Sequence, residues 1–142
     1  DETFLVCNGD VLTNLNICHL IRFHKQENAL ATIAVHHRQV RIDFGVIEWN
    51  QKPHIARYIE KPTIDYMVSM GIYVFEPQVL RYIPKGKYLD FPDLVRILLD
   101  AGERVVGFLF EGYWQDLGRA DDYEHATLDF EKMYSEFFHE ET

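Results

Sequence analysis

Two aspartates stand at the ends of apolar runs on opposite sides of the chain. Asp10 follows Thr3-Phe4-Leu5-Val6-Cys7 in Asn8-Gly9-Asp10, and Asp116 follows the run Arg104 to Phe110 in Tyr113-Trp114-Gln115-Asp116-Leu117-Gly118-Arg119. Strand ends that give way to a turn are where α/β folds gather ligands. The run Thr3 to Cys7 reads as a fully buried strand, and Gly9 is expected to let the backbone turn sharply so that Asp10 stands at the strand tip. A third strand end, Ile59-Glu60-Lys61-Pro62, sets a carboxylate beside an ammonium. Two carboxylates can share a hard cation while a nearby lysine neutralises a phosphate. Taken singly these are ordinary features, since an aspartate after glycine forms turns and a Glu-Lys step is a common surface.

Their order is more informative. Asn8-Gly9-Asp10, Phe44-Gly45-Val46-Ile47, Glu60-Lys61-Pro62, Gly71-Ile72-Tyr73-Val74 and Trp114-Gln115-Asp116-Leu117-Gly118 follow one another across nearly the whole chain, with Phe91-Pro92-Asp93-Leu94 at a helix start. In this order they resemble the sugar-1-phosphate nucleotidyltransferases, in particular the branch of mannose-1-phosphate guanylyltransferases and glucose-1-phosphate nucleotidyltransferases. These enzymes make nucleotide sugars from a nucleoside triphosphate and a sugar 1-phosphate. The resemblance implies an α/β fold: a Rossmann-like mixed sheet flanked by helices, the nucleotide-diphospho-sugar transferase fold. The family's glycine-rich loop, G-G-x-G-T-R-L-x-P-L-T, does not occur in the sequence, and with it the P-K step that follows such a loop is missing. Residues 1–142 are therefore expected to be a single partial domain, the C-terminal portion with the sugar-phosphate and metal half of the site. It would lack the N-terminal nucleotide-binding strands and be inactive as a fragment. An opening on Asp1-Glu2-Thr3 without methionine fits that expectation.

The reaction the resemblance implies is attack of a sugar-phosphate oxygen on the α-phosphorus, with pyrophosphate leaving. Two anions must meet, and unit charges about 4 Å apart at an effective dielectric near 20 repel by roughly 4 kcal/mol. A cation and a lysine answer that obstacle, so the implied cofactor is Mg²⁺, with Asp10 and Asp116 as its ligands and with Lys61 completing the catalytic set. Glu60 is implied to bind sugar hydroxyls, and Asn8, Gly9, Gly45, Ser69, Gly71 and Trp114 to line the substrate. Gly45 and Gly71 either bring backbone close to the sugar or mark bulges. Trp114 either packs on the sugar face or belongs to the core. Ser69 stands where this branch often has asparagine, and its shorter reach leaves the sugar open. Arg119, where thymidylyl- and uridylyltransferases often carry threonine, points to the guanylyltransferase branch. The alternative is a non-catalytic regulatory or nucleotide-sugar-binding subunit of the same fold, and intact Asp10, Lys61 and Asp116 favour the enzyme.

Composition sets outer bounds. The chain has 142 residues, 47% of them hydrophobic and 26% charged, enough for one globular core. A net charge of −9 with no basic run argues against nucleic acid or an anionic membrane as partner. No apolar stretch approaches the length of a membrane span, and no leader pattern precedes the first strand. Cys7 and Cys18 lack metal or redox spacing and read as reduced core residues of a cytoplasmic protein.

The elements follow from periodicity and punctuation. Asn14 is expected to cap a helix bearing Ile17, Leu20, Ile21 and His24 and ending near Asn28. Strands are predicted over Ala29–Val35, over Phe44–Trp49 and His54–Ile59 as a hairpin around Asn50-Gln51-Lys52-Pro53, and over Met67–Phe75. A short helix opens at Pro77, Phe91–Ala101 is a helix stopped by Gly102, Arg104–Phe110 is the last strand, and Ala120–Phe138 is one long helix with Tyr and Phe on its packed side. His36 and His37 point to opposite faces of a strand, and His19 and His24 do not share a helical face, so surface or capping roles are expected for them. The first strand is expected to leave its outer edge exposed, inviting homo-oligomer formation.

Overall fold

Strand β6 (Thr63–Phe75) explains how the sheet is built. Met70, Ile72 and Val74 alternate with Tyr73 and Phe75, and all are buried, so this half of the strand is covered on both faces. The computed structural model describes residues 2–118 and 120–138. It holds a four-stranded sheet in the order β1 (Phe4–Cys7), β6, β3 (Ala31–Arg41), β7 (Val105–Leu109). β1 runs antiparallel to β6, pairing Leu5 with Val74, while β3 and β7 are parallel, pairing Ile33 with Gly107. The sheet is therefore mixed, as expected.

Helix α1 (Ile17–Gln26) covers one face, where Leu15 and Leu20 pack with Ala34, Met70, Ile72 and Val74. A 3₁₀ helix (Pro77–Tyr82) and α2 (Phe91–Asp100) cover the other, where Val79, Leu94 and Leu98 pack with Ala31, Tyr73 and Phe75. Burial of a leucine of this kind contributes about 1.5–3 kcal/mol. α2 is capped by the Asp90 side chain, which accepts from the Asp93 N–H at 2.9 Å, and Gly102, at φ +73°, ends it as expected.

Several expectations are corrected. β1 is not fully buried: Phe4 and Val6 pack into the α2 side, whereas Leu5 and Cys7 point the other way and are exposed. Cys18 is exposed as well, so the cysteines are not core residues. The cap of α1 is Asn16, which accepts from the His19 N–H at 3.1 Å, while Asn14 accepts from the Tyr113 N–H at 2.8 Å. His24 is not at the surface. It is fully buried, with Thr32 Oγ1 2.7 Å from Nδ1 and Glu76 Oε1 3.1 Å from Nε2. β7 is followed by a further strand, β8 (Trp114–Asp116), paired antiparallel with an equally short β2 (Val11–Thr13). The terminal helix divides at Met133 into α3 (Ala120–Lys132) and α4 (Tyr134–Phe137); Phe137 packs edge-on against Tyr113 and on Phe130, as expected of a packed side, whereas Tyr123, Tyr134 and Phe138 are largely exposed.

The chain forms two compact units, residues 1–36 with 69–142, and residues 37–68. The smaller contains the hairpin of β4 (Val46–Gln51) and β5 (His54–Ile59), antiparallel with Ile47 opposite Tyr58 and irregular on either side of Trp49. Its Glu48 and Arg57 are opposite one another and 3.9 Å apart. No described helix is long and apolar enough to cross a membrane.

Candidate functional site

In the larger unit the pairing of β2 with β8 joins the two ends of the chain. Val11 lies opposite Asp116, and the next rung is closed by the Leu117 N–H donating to the Asp10 carbonyl at 2.8 Å. The backbones carrying Asp10 and Asp116 are thus neighbours although the residues are remote in sequence. Both aspartates are exposed, and among the described residues neither has an ion-pair partner. Asp116 Oδ1 accepts from the Gly118 N–H at 2.9 Å, which fixes that oxygen. Partial burial, with the Asp10 carboxylate adding to it, raises the Cys7 thiol above its ordinary value.

Asn8 and Gly71 pack together at the head of this site. The Asn8 N–H donates to the Gly71 carbonyl at 2.8 Å, and a Cβ at Gly71 would stand 2.6 Å from Asn8 Nδ2. Gly71 has φ +74°, so both sterics and backbone angle demand glycine there. Ser69 Oγ accepts from the Gly71 N–H and donates to the Tyr73 hydroxyl, each at 3.2 Å. Trp114 is half-buried against the α1 side of the core and its Nε1 donates to the Met70 carbonyl at 3.1 Å. Gly9 has open space around it and no positive φ, so its turn does not depend on the left-handed region. Arg119 lies outside the described residues.

The smaller unit carries the other set. Glu60 and Lys61 follow β5 and are exposed. Lys61 has φ +43°, an uncommon conformation for a residue with a side chain and more so before proline. Tyr58, which sequence reasoning did not single out, donates its hydroxyl to Glu60 Oε2 at 2.8 Å and lies directly over Gly45. The only signal for it was the two-residue spacing that puts Tyr58 and Glu60 on one side of an extended strand.

A test of fit for Mg²⁺ rests on the donor set. Among the described residues no group of three or more His, Cys, Asp or Glu side chains could hold a metal. Two unpaired carboxylates on adjoining strand ends fit a cation that takes one or two protein carboxylates and completes its shell with phosphate oxygens and water.

Residues 1–133 match the nucleotidyl transferase family. The chain belongs to that family. It is 34% identical over 142 residues to a glucose-1-phosphate adenylyltransferase of Clostridium botulinum, covering 92% of this chain and 37% of that protein. It is 32% identical over 133 residues to a UTP–glucose-1-phosphate uridylyltransferase of Synechocystis, covering 89% and 34%. A mannose-1-phosphate guanylyltransferase of Mycobacterium tuberculosis is 29% identical over 141 residues, covering 91% and 37%. This nucleotidyl transferase chain thus spans little more than a third of the length of those relatives. Among solved structures, a protein assigned as a glucose-1-phosphate thymidylyltransferase from Bacillus anthracis, in complex with a sucrose, superposes with a TM-score of 0.65 at 20% identity, covering 99% of this chain and 57% of the other. HddC from Yersinia pseudotuberculosis superposes with a TM-score of 0.61 at 21% identity, covering 92% and 56%. These likenesses establish the α/β fold of the nucleotide-diphospho-sugar transferases.

Proposed function

We propose that the protein at its full natural length transfers a nucleotidyl group from a nucleoside triphosphate to a sugar 1-phosphate, releasing pyrophosphate, and that residues 1–142 are part of one catalytic domain inactive alone. The observation that carries this reading is the β2–β8 pairing, which sets the Asp10 and Asp116 strand ends side by side. Asp10 and Asp116 would hold Mg²⁺, which when bound offsets the charge of the phosphates. Lys61 neutralises the phosphate of the sugar, and one of its roles is to lower the repulsion between the two anionic substrates. Glu60 accepts hydrogen bonds from sugar hydroxyls. Asn8, Gly9, Gly45, Ser69, Gly71 and Trp114 shape the substrate surface, with Gly71 and Asn8 acting as one rigid corner. Catalysis then consists of positioning the sugar phosphate for in-line attack and neutralising charge, as in other phosphate transfers.

The compartment we propose is the cytoplasm, on the strength of two free cysteines. Residues 1–142 alone form a homo-oligomer through the outer edge of β1, which ends the strand order of its sheet and which the missing N-terminal strand would otherwise cover. A single monomeric species in analytical ultracentrifugation at micromolar concentration would remove the oligomer from this reading.

The deciding experiment is Mg²⁺-dependent pyrophosphate release by the full-length protein across a panel of nucleoside triphosphates and sugar 1-phosphates. Asp10→Asn and Asp116→Asn should each reduce turnover by at least roughly a hundredfold. Silence of the folded wild-type protein across the panel would replace the enzyme with a regulatory or nucleotide-sugar-binding subunit.

A further inference from the structure

Tyr58, Gly45 and Glu60 make a unit that the family motifs do not explain. The Tyr58 hydroxyl donates to Glu60 Oε2 at 2.8 Å. The same phenol rests on Gly45, where a Cβ would stand 2.1 Å from its oxygen and 2.4 Å from Cζ. Pairing of Ile47 with Tyr58 and of Val46 with Ile59 carries the ring back along the hairpin to that glycine. Tyr58 is 62% exposed, so burial of apolar area is not what fixes its ring. Contact with a residue that has no side chain and one charge-assisted hydrogen bond hold it instead.

The consequence falls on Glu60. An exposed glutamate has three rotatable bonds and loses entropy when a ligand orders it. With Oε2 occupied by the phenol, Oε1 remains an acceptor held in a set direction, with no partner among the described residues. The hydrogen bond to Glu60, reinforced by its charge, raises the Tyr58 hydroxyl above the ordinary tyrosine value, so the phenol stays a donor at neutral and mildly alkaline pH.

We infer that Tyr58 is a positioning residue for sugar recognition: seated on Gly45, its hydroxyl orients the Glu60 carboxylate to receive the hydroxyls of the sugar 1-phosphate. This rests on the role proposed for Glu60. Phenylalanine at position 58 would occupy the same space without orienting anything.

The test is steady-state kinetics of the full-length protein with Tyr58→Phe, Glu60→Ala, the pair together, and Gly45→Ala, with a melting temperature for each. Glu60→Ala raises KM for the sugar 1-phosphate. Tyr58→Phe raises it roughly three- to tenfold, the scale of one hydrogen bond, with kcat within about twofold and no change in melting temperature. In the Glu60→Ala background Tyr58→Phe has no further effect, and Gly45→Ala, which pushes the phenol off its seat, reproduces the KM shift. An unchanged KM in Tyr58→Phe while Glu60→Ala raises it overturns the inference about Tyr58 alone. An equal shift from Tyr58→Phe with or without Glu60 shows direct contact with substrate and also overturns it. An unchanged KM in Glu60→Ala overturns the reading of Glu60 on which the inference rests.

Discussion

Gly71 and Asn8 interlock: the Asn8 N–H is bonded to the Gly71 carbonyl, and the Asn8 amide occupies the space into which any side chain at position 71 would grow. The left-handed φ of +74° adds backbone strain for any other residue. Gly71→Ala should therefore destabilise the fold by about 2–4 kcal/mol, measured by urea unfolding. Adding Asn8→Ala removes the two nearest atoms, Nδ2 and Cγ, and should recover part of the loss. A double variant no more stable than Gly71→Ala would show that the amide is not the obstacle.

Lys61 poses the opposite case, a side chain where the backbone favours none. Its φ of +43° before Pro62 costs on the order of 1–3 kcal/mol that glycine would not incur. Lys61→Gly is expected to leave the melting temperature unchanged or raise it while raising KM for the sugar 1-phosphate by more than about tenfold. A fall in stability would mean that the lysine side chain contributes to folding rather than to the phosphate.

The cap of α1 offers a direct comparison of two asparagines. Asn16→Ala removes the acceptor for the His19 N–H and should cost about 1 kcal/mol, seen as a lower urea midpoint. Asn14→Ala leaves that cap intact and instead orphans the Tyr113 N–H, so its effect should appear as faster hydrogen exchange at Tyr113 and along β8. Exchange confined to α1 in Asn14→Ala would refute this division of labour.

Glu76 gives stability a pH dependence. The Thr3 hydroxyl donates to its Oε1 at 2.7 Å, and with the contributions of His24 and Lys25 this holds the carboxyl below its ordinary value despite partial burial. A folded pKa below the unfolded one means that the contribution is fully present at neutral pH. It fades as pH falls through the ordinary glutamate value of about 4.3 to the lower folded value. Glu76→Gln should cost roughly 1 kcal/mol at neutral pH and should flatten the acid decline of the urea midpoint. An equally steep decline in the variant would assign it to other carboxylates.

Elements that carry their own punctuation were legible in the sequence. Gly102 stops α2 as read, and the expected hairpin turn narrows to Lys52 and Pro53, which separate β4 from β5. The strand ends bearing Asp10 and Glu60 were equally clear. β2 and β8 were not, because three residues are too few to display alternation and such strands exist only by pairing with each other. They are nevertheless what brings Asp10 to Asp116. The Asn14 and Asn16 roles could not be separated because both side chains suit a cap, and only the approach of Tyr113 decides which is used elsewhere. Tyr58 was missed because its role depends on cross-strand register and on the space above Gly45, neither of which a linear motif records. The division of the last helix at Met133 has no glycine or proline to announce it.

Residues 37–68 form one uninterrupted stretch, entered along β3 and left along β6, which are neighbours in the sheet. Gly45, Tyr58, Glu60 and Lys61 all lie within it, while Asp10 and Asp116 lie on the remainder of the chain. Such a layout is modular in inheritance: a single recombination or a single graft exchanges the whole hairpin as a cassette without touching either carboxylate, so under the roles we propose the sugar-binding residues can diverge independently of the metal-binding pair.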